Sequence, residues 1–215
     1  MSVWFTADLH FNHGNIIKYL NRPFMNNHES ELVRQEHEKS TDSYRWPESL
    51  KALHIRRETV RRHDEAIASN INTLVAPEDV LWILGDFCFG TPAEWAAARN
   101  RINCQHVNLI VGNHDEEAEE RYGLRLWDFF EEVYDLRNLQ IEGQKITLCH
   151  YAMDVWHKSH RGAFHVYGHT HGNLPLRENK LSCDVGVDAW DFKPVSMDQI
   201  REVMLSKKRN PDDLF

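Results

Sequence analysis

The sequence predicts a layered α/β sandwich. Strand and helix patterns alternate up to about residue 122, and strand patterns then follow one another, as a second sheet requires. With 215 residues, 41% of them hydrophobic, and few glycines or prolines, the chain suits one domain with a full core.

The elements can be justified in order. "VWFTA" is an apolar run that reads as a buried strand, and a short helix near "NIIKYL" follows. The stretch after it is charged, lacks strand signals and is broken by Pro47. Leu53, Val60, Ile67, Ile71 and Leu74 then recur at helical spacing, which predicts a packed helix. "DVLWILGDF" is a second buried strand. "TPAEWAAARNRI" opens with Thr91, Pro92 and Glu94 in the order of a capping box, so a helix starts there. "HVNLIVGNHD" is a third strand, with an acidic helix around "EEAEERYG". "EEVYDLRNLQIEGQKITLCHYA" reads as a hairpin turning at Glu142 and Gly143. "AFHVYGH" and "KLSCDVGVDAW" add strands, and "SMDQIREVMLSK" is a closing helix capped by Ser196.

Bulk properties exclude several roles. A formal charge of −8 argues against a general nucleic-acid coat, because phosphate binding needs clustered positive charge. No apolar run approaches the ~20 residues of a membrane span, and the first residues lack a signal-peptide pattern. Cys88, Cys104, Cys149 and Cys183 are far apart and form no CxxC pair. Reduced, mostly buried thiols in a cytoplasmic protein are therefore expected.

The ends of the strands carry the chemistry. "FTADLH" stops in Asp8 and His10, "WILGDF" at Gly85 and Asp86, and "LIVGNHD" at Asn113, His114 and Asp115. "ITLCHYA" delivers His150, and "VYGHTH" delivers His169 and His171. Residues at i and i+2 on extended backbone point to one side, so each pair is expected to face a common site. Ligand sites in open α/β sheets lie outside the carboxyl ends of strands, where these groups would converge. Two carboxylates, one amide oxygen and four imidazoles exceed one tetrahedral ion and suit two ions sharing a carboxylate. Without thiolate ligands, and with so many imidazoles, Mn²⁺, Fe or Zn²⁺ is expected before Ca²⁺ or Mg²⁺.

These blocks, D-x-H, G-D, G-N-H-D, a lone His and G-H-x-H, occur in the order found in the calcineurin-like metallophosphoesterases, which the chain resembles. The likeness is closest to small stand-alone bacterial and phage phosphoesterases, through "FTADLHFNHGNIIKYLNRPF", "HVYGHTHGN" and "VGVDAWDFKPVS". It covers almost the whole chain and implies a single domain over residues 1–215, a four-layer β-sandwich flanked by helices; residues at about 25–62 depart from the family pattern and read as a charged helical insertion. By the same resemblance one metal takes Asp8, His10 and His171, and the other Asn113, His150 and His169, with Asp86 bridging. Mn²⁺ leads as the metal, with Fe, Zn²⁺ or Ni²⁺ as alternatives.

The filled site would carry about one net positive charge once a bridging hydroxide is counted, which suits a phosphodiester monoanion. That hydroxide would attack phosphorus, and the resemblance implies that His114, in the family's position for this role, protonates the leaving group while Asp115 orients its ring. The expected substrates are small phosphoesters, such as cyclic nucleotides, or nucleic-acid ends. Nuclease, phosphomonoesterase and non-catalytic scaffold are the alternatives.

Other residues carry open readings. His13 either touches substrate or caps the short helix, and Arg22 could clamp a phosphate oxygen. Cys88 reads as a small buried thiol, and His157 and His160 as a loop at the pocket rim. Residues 51–63 hold five Lys or Arg against one Glu. They form either the solvated face of a helix or a positively charged lid over the site.

Overall fold

Backbone hydrogen bonding sorts the strands into two sheets. The computed structural model describes residues 1–39, 46–175 and 178–207. Its elements begin with β1 (Val3–Thr6), α1 (Gly14–Tyr19), α2 (Asn27–Lys39), α3 (Glu48–Ala52), α4 (Arg57–Leu74) and β2 (Val80–Leu84). Next come α5 (Pro92–Arg99), β3 (His106–Ile110), α6 (Asn113–Tyr122), β4 (Val133–Tyr134), β5 (Leu136–Ile141) and β6 (Gln144–Cys149). The chain continues through β7 (Phe164–Tyr167), β8 (Ser182–Asp184), β9 (Val195–Ser196) and α7 (Met197–Ser206).

The first sheet has the order β4-β3-β2-β1-β9, parallel except for β9. The second has the order β5-β6-β7-β8, an antiparallel hairpin extended by two parallel strands. β2 shows why its sequence reads as an unbroken apolar run. Leu81 and Ile83 join the cluster under α4, α5 and α6, while Trp82 and Leu84 join the cluster between the sheets. Alternate side chains of one strand thus serve two cores. α7 supplies Ile200 and Met204 to the inter-sheet core. Two sheets flanked by helices is the class the sequence predicts.

Helix ends follow their local chemistry. Glu94 accepts the Thr91 N–H at 2.6 Å and starts α5, while Ser196 and Gln199 form a reciprocal box at α7. α4 begins at Arg57 rather than Leu53, because Glu29 anchors that point. Its carboxylate accepts the Arg56 N–H at 2.9 Å and the Thr59 hydroxyl at 2.7 Å. Leu74, at the far end, is 41% exposed instead of buried.

The stretch "EEVYDLRNLQIEG" is not one strand. Val133 and Tyr134 pair with β3, and from Leu136 the chain pairs with β6, so it crosses between the sheets at Asp135. The turn itself falls at Glu142 and Gly143, both with positive φ.

Residues 25–62 hold α2, α3 and the start of α4, joined by short non-helical links, with residues 40–45 outside the described set. Val33, Leu50 and Ile55 pack with Ile16 and Ile17 in a third apolar cluster. The buried Lys18 ammonium ties this region together by donating to the carbonyls of Lys51 and Leu53 at 2.8 and 2.6 Å.

Trp95 of α5 is fully buried in the first core, and its indole N–H has no hydrogen-bond partner. Trp95→Ala should cost about 3–5 kcal/mol. Trp95→Phe should cost much less, because no hydrogen bond is lost. Urea denaturation monitored by circular dichroism distinguishes the two, and equal losses would mean that the indole nitrogen has a role of its own.

Candidate metal centre

Pairing between β1 and β2 does not stop where the strands end. The N–H groups of Asp8, His10 and Phe11 donate to the carbonyls of Gly85, Asp86 and Phe87 at 3.0, 2.9 and 2.9 Å. The two polar turns are therefore zipped side by side. Within them the backbone is strained, with φ of 58° at Asp8, 50° at His10 and 56° at Asp86. His169 and His171 are left-handed as well, at 66° and 48°. Each such residue costs on the order of 1–3 kcal/mol and needs surroundings that impose it.

The i, i+2 pairs do not lie on extended backbone as their spacing predicts. Both members of each pair are left-handed, and the turns themselves aim the side chains.

A buried acceptor, Asp8, and a half-buried one, Asp184, impose the second turn. The Asp8 carboxylate accepts the His169 N–H at 2.9 and 3.0 Å. Asp184 accepts the Thr170 hydroxyl at 2.5 Å and the Gly172 N–H at 2.9 Å. Close approach fixes two glycines. A Cβ on Gly85, which has φ of 88°, would lie 2.3 Å from His150 Nδ1. One on Gly168 would lie 2.5 Å from the Ala7 Cβ and 2.8 Å from Asp8 Oδ2. Neither space exists for a side chain.

The converging groups form two sets of donor atoms. Asp8, His10 and His171 make one, and Asp86, His150 and His169 the other, with the atoms of each set within 4.8 Å of one another. Asp86 lies against both sets. Its Oδ2 is 3.6 Å from His10 Nε2 and 3.7 Å from His150 Nε2. Asn113 adds its Oδ1 at 3.3 Å from His150 Nε2.

Hydrogen bonding tests whether these groups suit cations. His150 Nδ1–H donates to the Leu84 carbonyl at 2.7 Å, and His171 Nδ1–H donates to Asp188 at 2.7 Å. Each ring is thereby left with a lone pair on Nε2. His10 Nε2 is buried with no protein partner, which is costly unless something accepts its lone pair. Burial, then the nearby Asp86 charge, pushes the Asp8 carboxyl well above its usual range. Burial, then Arg22, holds His10 well below its ordinary value. Neutral imidazoles and crowded carboxylates form a donor set that divalent cations fit.

α6 begins at Asn113, immediately after β3, so its first turn faces the donors. The His114 N–H, free because it opens a helix, donates to Asp86 Oδ1 at 3.0 Å. The His114 ring lies 5.5 Å from the His10 ring, centroid to centroid, and its Nδ1 is 3.0 Å from Glu117 Oε2.

Asp115 does not orient that ring. It is fully buried and accepts three backbone N–H groups, from Asp86, Gly112 and Phe87, each at 2.9 Å. Its role is to clamp the turn after β2 to the start of α6. Burial and the Asp86 charge push its carboxyl up to about 7, against the pull of those three donors.

The two candidate substrate residues fare differently. Arg22 is 1% exposed and cannot meet a substrate. Nε and Nη2 pair with Asp188 at 2.9 and 2.7 Å, Nη2 also donates to the Asp8 carbonyl, and Nη1 lies 2.6 Å from His63 Nε2. Arg22 thus supports Asp188, which orients His171. His13 lies at the edge of the donor cluster, its Nδ1 3.2 Å from His10 Nδ1 and its ring stacked on Phe89 at 3.6 Å. It makes no side-chain cap on α1.

Cys88 is buried as expected, its thiol pushed up by desolvation. His157 borders a separate pocket over β5 and β6, and neither it nor His160 belongs to a donor set.

The chain belongs to the calcineurin-like phosphoesterase family, whose model matches residues 1–193. The family match, together with the two donor sets, makes the chain a metal-dependent phosphoesterase, a hydrolase. It is similar to the uncharacterized protein MJ1445 of Methanocaldococcus jannaschii, at 25% identity over 92% of this chain and 88% of that one. The gene 66 protein of Mycobacterium phage L5 is 23% identical, over 94% of each. Among solved structures, AQ665 of Aquifex aeolicus, a protein of unknown function, shares the fold with a TM-score of 0.62. That match has 21% identity and covers 94% of this chain and 98% of that one.

Sequence reasoning missed Asp188, His63 and Glu117. Asp188 had a signal, since it follows strand "KLSCDVGV" and so obeys the strand-end rule. His63 stands four residues before Ile67 and eight before Ile71, on the buried stripe of α4. Glu117 had no signal beyond its place one turn after His114.

Asp115→Asn tests the clamp. An amide nitrogen would face backbone donors, so stability should fall by about 1–3 kcal/mol for the unmatched group. Thermal denaturation reads this directly. Unchanged stability would mean that these three bonds do not hold the turn to the helix.

Proposed function

We propose that the chain is a binuclear phosphodiesterase, with Mn²⁺ as its first-choice metal and nucleotides or nucleic-acid ends as its substrates. One observation carries this reading: Asp86 Oδ2 lies 3.6 and 3.7 Å from histidines of two different donor sets. A carboxylate so situated suits a bridge. Asp8, His10 and His171 would hold one ion, and Asn113, His150 and His169 the other. Bound divalent ions supply Lewis acidity and activate water near neutral pH.

The chain's own residues do the rest. Leu84 and Asp188 fix the tautomers of His150 and His171, so both rings present Nε2. The start of α6 stabilises the Asp86 charge through the His114 N–H. The His114 side chain is 30% exposed at the edge of the donors, where it can protonate a departing alkoxide. Glu117, not Asp115, is the carboxylate within reach of its Nδ1. Three of the four cysteines are buried and none is paired, in keeping with a reducing compartment, and we infer a cytoplasmic location.

The test is hydrolysis of phosphodiesters by metal-free protein reconstituted with Mn²⁺. Turnover should need the metal. His114→Ala should lower kcat for a methyl or nucleoside leaving group by about 10²-fold or more, the range of general acid catalysis. For 4-nitrophenolate, which needs little protonation, the loss should be far smaller. Metal content should stay the same. Equal losses for both leaving groups would remove His114 from the proton transfer, and metal-independent turnover would contradict the whole proposal.

A further inference from the structure

A second cleft opens beside the donor cluster and shares a wall with it. It has a volume of about 390 Å³, and its lining includes His13, Asn15, Lys51, His54, Arg57 and Phe89. The shared wall is the stacked pair of His13 and Phe89. His13 Nδ1 is 3.2 Å from His10 Nδ1, and the Phe89 ring lies 5.5 Å from the His10 ring and 4.8 Å from His114. A substrate held at the donors would therefore border this cleft.

Its charge is one-sided. Lys51 and Arg57 line it, His54 adds a basic nitrogen, and no Asp or Glu contributes to the lining. All three basic side chains are exposed. Among the described residues, the Lys51 ammonium makes a surface ion pair with the exposed Glu48, at 2.9 Å, which water and salt weaken readily. The other arginines of this basic stretch are spoken for. Arg56 is paired with Glu29, Arg61 with Glu58 and Glu65, and Arg62 donates to the Phe24 carbonyl. Basic charge in residues 51–63 thus divides into a solvated helix face and a smaller group turned to the cleft.

Two other pockets among the described residues lack this combination. One, over β5 and β6, has lysines but no residue of the donor cluster, and the other is lined by Glu116, Glu119 and Asp135.

We propose that this cleft is a subsite for a second phosphate of the substrate, on the side away from the scissile bond. The substrate class is then a nucleotidic phosphodiester carrying at least one further phosphate. Arg57 and Lys51 would bind that phosphate by charge-assisted hydrogen bonds, and the face of the His13–Phe89 pair would support the intervening sugar or base. A substrate with one phosphate would leave the cleft to water. The inference rests on the phosphodiesterase reading, and it accounts for a local basic group in a chain of net charge −8.

The experiment compares two esters with the same scissile bond and leaving group: thymidine 5′-(4-nitrophenyl phosphate), with and without a 3′-phosphate. With Mn²⁺-loaded protein, kcat/KM should be higher for the 3′-phosphorylated ester, mainly through KM. In Lys51→Ala/Arg57→Ala the ratio of the two kcat/KM values should fall by about tenfold, a modest value for two charge-assisted contacts. Raising salt should shrink the wild-type ratio in the same direction. A ratio unchanged by the double substitution would overturn the subsite.

If neither ester turns over, the phosphodiesterase reading fails, and binding decides the subsite separately. Thymidine 3′,5′-bisphosphate, titrated calorimetrically into the protein, should bind about tenfold more weakly to the double variant. Equal affinity there would also overturn the proposal.

Discussion

Two carboxylates buried in one cluster govern this molecule. Asp8 is fully buried and Asp86 nearly so, and their charges oppose each other. Removing like charges from water is unfavourable twice over, through desolvation and through repulsion. The surrounding structure reads as a set of offsets to that cost. The His169 N–H serves Asp8, and the opening turn of α6 serves Asp86. Neutral imidazoles surround both. Among the described residues no Lys or Arg side chain bonds either carboxylate, and a divalent cation would supply the compensating positive charge.

The same constraint explains the strained backbone. Left-handed residues at Asp8, His10, Asp86, His169 and His171 turn five donor side chains toward one point from three strand ends. Such residues persist only where neighbours hold them. The holding groups are identifiable: the zipped carbonyls of β2's extension, the buried Asp115 clamp, and Asp184 under the Gly168–Gly172 turn. Arg22 extends this support outward. It joins Asp188 beneath His171 to His63 of α4, and His63 Nδ1 lies 2.8 Å from Asp64. Helix α4 is therefore connected to a donor histidine through one buried guanidinium.

Much of this was legible in the sequence because strand ends are marked chemically. Apolar runs stop at Asp, Asn or His, and a run of five such stops has few explanations besides a shared site. The sheets were legible for a related reason, since "VLWIL" and "HVNLI" can be buried only between two layers. Three things were hidden. Sequence does not distinguish an acidic side chain that bonds backbone from one that bonds a ring, so Asp115 was misassigned. An arginine in a loop reads as exposed until partners such as Asp188, far away in the chain, are known. Left-handed backbone at non-glycine residues has no signature, because the neighbours that impose it come from other strands.

The central claim is that Asp86 is shared between two cations. Anomalous diffraction at the manganese edge, from crystals grown with Mn²⁺, measures it most directly. The account predicts two peaks, one among the donor atoms of Asp8, His10 and His171 and one among those of Asn113, His150 and His169, with the Asp86 carboxylate between them. A single peak at saturating Mn²⁺, or a pair that Asp86 does not bridge, would contradict it.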